Sequence, residues 1–129
     1  MQHTPHGSAA QAYKRNEILN ASPEKLILLL YDGAIRNLEQ ARAGLATPGQ
    51  ERSARIGETL GKAISILGEL RAALDHEVGG RVAGDLDRLY EFCMDRIFTT
   101  NVQRQAEAID SALRVLRTLK EGWDAIIPA

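Results

Sequence analysis

The stretch ASPEKLILLLYDGAI, residues 21–35, holds an unbroken apolar run over 26–31 in an otherwise mild sequence. That run is too apolar for one face of a surface helix and far shorter than the ~20 residues needed to cross a membrane. It begins with a helix start signal. Ser22 can accept a hydrogen bond from the free N–H groups of the first turn, Pro23 suits the first helical position, and Glu24 suits the positive end of the dipole. The spacing predicts a helix from 23 to about 45, with Ile27, Tyr31, Ala34, Leu38, Ala41 and Leu45 on one seam.

Working outward, Ala46-Thr47-Pro48-Gly49 breaks this helix, and a second, 50–76, repeats the pattern at Ile56, Leu60, Ala63, Leu67, Leu70 and Leu74. Gly79-Gly80 supplies the next reversal. A third helix over 82–101 presents Val82, Leu86, Leu89, Cys93 and Ile97, and a fourth over 105–123 presents Ile109, Leu113, Leu116 and Trp123. Strand-period alternation is absent. The fold class is therefore all-α, an antiparallel four-helix bundle over residues 21–129. Residues 1–20 are polar and poorly periodic, and read as a flexible N-terminal cap, mobile or in a short helix.

Composition excludes several functions. A chain of 129 residues with 44% hydrophobic content builds a core without metal or disulfide support. Sixteen Lys and Arg against seventeen Asp and Glu leave a net charge of −1, so no basic field is available to capture nucleic acid or anionic lipid. The single cysteine, Cys93, permits no internal disulfide and reads as a buried structural thiol. With no apolar leader at the N-terminus, the expected compartment is a reducing cytoplasm.

Bundles of this size often hold di-metal sites built from Glu-x-x-His steps, and no Glu here has a His three residues later. His3 and His6 read as part of a polar tail, and His76 as a complement to a helix C-terminus. There is no nucleophile elbow or phosphate loop. The expectation is a non-enzyme with no cofactor and no metal.

Surfaces remain once the core seams are assigned. On the first helix Leu28, Leu29 and Ile35 are surplus apolar residues, whereas Leu26 and Leu30 widen the core stripe. On the second helix Gly57, Gly61, Ser65, Gly68 and Ala72 share a face away from the seam, a shallow trough for another bundle helix or a foreign one. Each interior glycine costs about 1 kcal/mol against alanine, so a close neighbour is expected there. On the third helix Tyr90, Met94 and Phe98, ending in Asn101, form a stripe that is either core or an adaptable contact surface. Such faces suit helix-in-groove recognition.

The sequence resembles the bacterial flagellar export chaperone family FliS over nearly its whole length. The resemblance rests on Ala12-Tyr13 with Asn16, Ala21-Ser22-Pro23, Leu30-Tyr31-Asp32-Gly33-Ala34, Lys62-Ala63-Ile64, Leu74-Asp75 with Gly79-Gly80, Leu89-Tyr90, Asn101 and Trp123. It implies a cytoplasmic chaperone that binds the disordered C-terminal segment of flagellin, prevents early polymerisation and aids delivery to the type III export gate. Contact with an export-gate component or a flagellar regulator is also implied, as is an N-terminal segment that can lie over the groove with Tyr13 as a plug. Arg104-Gln105 depart from the Asn-Asp of many relatives and leave the last helix without an Asp cap. The expected partner-binding set is Tyr13, Leu28, Leu29, Ile35, Gly57, Gly61, Ile64, Gly68, Tyr90, Met94, Phe98 and Asn101. The alternative is a regulatory or structural bundle that self-associates through the same faces.

Overall fold

The computed structural model describes residues 5–128. His3 and the side chain of His6 lie outside the described residues. Five α-helices follow in order: α1 Pro5–Leu19, α2 Pro23–Ala46, α3 Ala54–Ala72, α4 His76–Gln103 and α5 Asp110–Ile126, the last preceded by a 3₁₀ turn at Ala106–Ile109. Among the described residues there is no strand. Helix α2 packs against α3 and α5, and α4 packs against the same two from the other side, so the four close into a bundle of sequential neighbours.

The start of α2 is set as its sequence dictates: the Ser22 hydroxyl accepts from Lys25 N at 3.1 Å, with Pro23 in the first turn. The α2 and α3 seams form the core much as their spacing predicts, with Tyr31, Ala34, Leu38, Ala41 and Leu45 facing Ile56, Leu60, Ala63, Leu67 and Leu70. Each large aliphatic side chain buried there contributes about 1.5–3 kcal/mol.

Two expectations change. Helix α3 ends at Ala72 rather than 76, and His76 opens α4 instead of closing the helix before it. Asp75 explains this, since its carboxylate accepts from both Glu77 N and Val78 N and caps a new helix. Gly80 then breaks α4 one turn in, with φ 51° and ψ −123°, a conformation open to glycine alone. Gly79 is equally constrained, because a Cβ there would sit 2.9 Å from Ala83 Cβ.

The seam of α4 is also rotated from its expected phase. Ala83, Tyr90, Cys93, Ile97 and Thr100 are buried, while Val82 is 65% exposed. Tyr90 belongs to the core and not to a contact stripe: its hydroxyl lies 2.5 Å from that of Tyr31, with ring centroids 6.2 Å apart. Burial raises both phenols above their ordinary pKa, and pushes the Cys93 thiol up to about 12.

Helix α5 starts without a side-chain cap. Arg104 instead closes α4 in the left-handed region, φ 55°. Its guanidinium donates to the carbonyls of Glu51, Ser53 and Asn101 and to Asn101 Oδ1, which ties the α4–α5 corner to the α2–α3 loop.

Candidate functional site

Three uncovered surfaces surround the bundle. At the end where α2 begins and α3 gives way to α4, an apolar cavity of about 240 Å³ is lined by Ile27, Leu70, Leu74, Val78, Val82, Leu86, Tyr90 and Trp123. The Gly80 break lies beside it: Val78, in the turn before the break, remains 86% exposed, and Val82, just beyond it, is exposed by the rotated phase of α4. Ile27, assigned to the seam by its spacing, is only partly buried because it faces this cavity.

The second surface is the groove between α3 and α4. Gly57 occupies the flank of α3 turned toward α4, whereas Gly61 is exposed and borders a shallow depression with Asn37 of α2, Glu58, Lys62, Ser65 and Ile66. Gly57 marks one end, where an added Cβ would meet Arg104 Nη2 at 3.3 Å and Asn101 Oδ1 at 3.6 Å. At the other end Arg71 donates to both carboxylate oxygens of Asp87, at 2.7 and 3.4 Å, and approaches Glu91 at 3.7 Å. Gly61 and Gly68 face open space, with nothing within 4 Å of an added Cβ. On α4 stand Met94, half-buried against the core, and Phe98, 55% exposed.

Of the two stripes expected separately on the second and third helices, Gly61, Gly68 and Phe98 remain open at the surface, while Tyr90 is buried. The glycines accommodate no bundle helix at Gly61 and Gly68, whereas Gly57 makes room for the Arg104 clamp. Asn101 is exposed at the groove's end and serves that same clamp. The guanidinium of Arg71 holds the Asp87 carboxyl below its usual range.

The third surface, on α2, corrects the expectation of three surplus side chains. Leu28 is buried, Ile35 packs against the core, and Leu29 is half-buried. Helix α2 touches both α3 and α5, and a helix with two neighbours needs a wide apolar arc. On the α5 side, Arg42 grips Asp110 through two bonds of 2.6 and 3.1 Å, and Lys120 bridges Asp32 and Asp124. Ile35 lies in the charged cleft so formed.

Tyr13 on α1 is 69% exposed, and Ile18 on the same helix 51%. Among the described residues no three potential metal ligands converge, and no helix is long and apolar enough to cross a membrane. What these surfaces can do is bury the apolar face of an amphipathic segment. The sequence reading missed the end cavity, and its one signal was the pair of valines flanking Gly79-Gly80.

Comparison with known proteins agrees with this architecture. The family model described as "Flagellar protein FliS" matches residues 6–129. The chain is 40% identical over 110 residues to the flagellar secretion chaperone FliSB of Pseudomonas aeruginosa, covering 85% of each chain. It is 36% identical over 123 residues to the flagellar secretion chaperone FliS of Vibrio cholerae, covering 92% of this chain and 88% of that one. To the protein of that name from Salmonella typhimurium it is 37% identical over 120 residues, covering 92% and 87%. A solved structure described as the crystal structure of a flagellar chaperone from bacteria superposes with a TM-score of 0.72 at 26% identity, covering 94% of this chain and 96% of that one.

Proposed function

Because this chain belongs to the flagellar protein FliS family, we propose that it is a cytosolic export chaperone whose client is the disordered C-terminal segment of flagellin. The client lays amphipathic helices into the α3–α4 groove and an apolar side chain into the end cavity. Held this way, it cannot polymerise before it reaches the flagellar type III export apparatus. The observation that carries the reading is the apolar surface left open by the bundle: the 240 Å³ cavity together with the exposed Phe98 and the bare Gly61–Gly68 flank.

The physical logic is one of coupled ordering. A disordered tail loses conformational entropy when it folds onto a partner, and only long apolar grooves offset that loss. Residues 1–20 act as a separate cap, with Tyr13 free to cover part of the groove before the client arrives, and with an export-gate component or a flagellar regulator as a further partner. Residues 21–129 form the client-binding domain.

Isothermal calorimetry of the purified chain with the C-terminal segment of flagellin from the same bacterium tests the reading. The expected result is a 1:1 complex with a large negative heat-capacity change. No complex refutes it, and a concentration-dependent dimer of the chain alone, seen by light scattering, supports self-association instead.

A further inference from the structure

We draw no further inference here: the strongest candidate, the polar cleft where the end of α4 meets the start of α5, lined by Arg96, Gln105 and Arg114, carries nothing, because the unpartnered Arg96 Nε is shut off from solvent and nothing in the structure shows what would occupy the cleft.

Discussion

Removing either hydroxyl of the Tyr31–Tyr90 pair should cost more than the hydrogen bond itself, and removing both should cost little beyond one. The two residues are 0% and 2% exposed, their oxygens lie 2.5 Å apart, and Trp123 and Cys93 are the other polar-capable side chains beside Tyr31. Tyr90→Phe removes a bond with a net value of about 1 kcal/mol and leaves the buried Tyr31 hydroxyl with Trp123 as its one neighbouring hydrogen-bonding side chain, and Tyr31→Phe strands the Tyr90 hydroxyl, which adds about 1–2 kcal/mol. Each single variant should therefore lose about 2–3 kcal/mol. In Tyr31→Phe/Tyr90→Phe no polar group is stranded, so the double variant should lie close to the milder single and well short of the sum.

Urea unfolding followed by Trp123, the only tryptophan, reads the effect directly. With a denaturant slope of about 2 kcal/mol per molar, each single substitution should lower the midpoint by about 1 M. Singles within 0.5 kcal/mol of the parent, or a double equal to their sum, would refute the reasoning.

Alkaline pH should destabilise the fold through three neutral buried groups. Their folded pKa values are raised, so their contribution is complete below the unfolded values, about 8.5 for thiol and 10 for phenol, and is lost as pH climbs from there toward the folded values. Each should contribute at most about 1.4 kcal/mol per pH unit, and Cys93→Ala should flatten the limb that begins near pH 9 in urea midpoints; an unchanged limb contradicts it. Gly61→Leu should leave stability unchanged or raise it by up to about 1 kcal/mol, because glycine is a poor helix former and the site is open. The same change should weaken flagellin-segment binding at least about tenfold by calorimetry, and unchanged affinity would remove this flank from the client surface. Gly80→Ala should cost about 1–3 kcal/mol in thermal unfolding, since alanine has no comfortable place at φ 51°, ψ −123°; a neutral result would mean that α4 straightens without penalty.

What was legible in the sequence follows from how local each determinant is. Ser22-Pro23 starts α2 through bonds within four residues, and the α2 and α3 seams keep their four-three spacing from end to end despite the extra apolar residues beside them. Helix α4 is different. Val82, Leu86 and Leu89 make as good a stripe as Ala83, Leu86 and Tyr90, and the choice between them is made 59 residues away, where Tyr31 waits for a hydroxyl. Leu28 looked surplus because a single helix cannot reveal that it has two neighbours. The glycine flank and the Met94/Phe98 stripe were each readable, but which of their residues stay open depends on how α3 and α4 are rotated. The end cavity needed the dihedral angles of Gly80 and could not be seen in residue types.

The Arg104 clamp bears on how such a molecule could release what it holds. It fastens the α4–α5 corner to the α2–α3 loop at one end of the bundle, while at the opposite end the Arg71–Asp87 and Lys120–Asp32 pairs cross between helices beside the Gly80 break and the apolar cavity. The first end is held by one guanidinium drawing on three carbonyls and the second by half-exposed ion pairs that solvent and salt weaken, so splaying motions should be smaller near Arg104 than toward Trp123. Amide exchange should rise in the same direction along each helix. On the function proposed above, a client held at the Trp123 end would be peeled away by pulling there, without unfolding the end that Arg104 fastens.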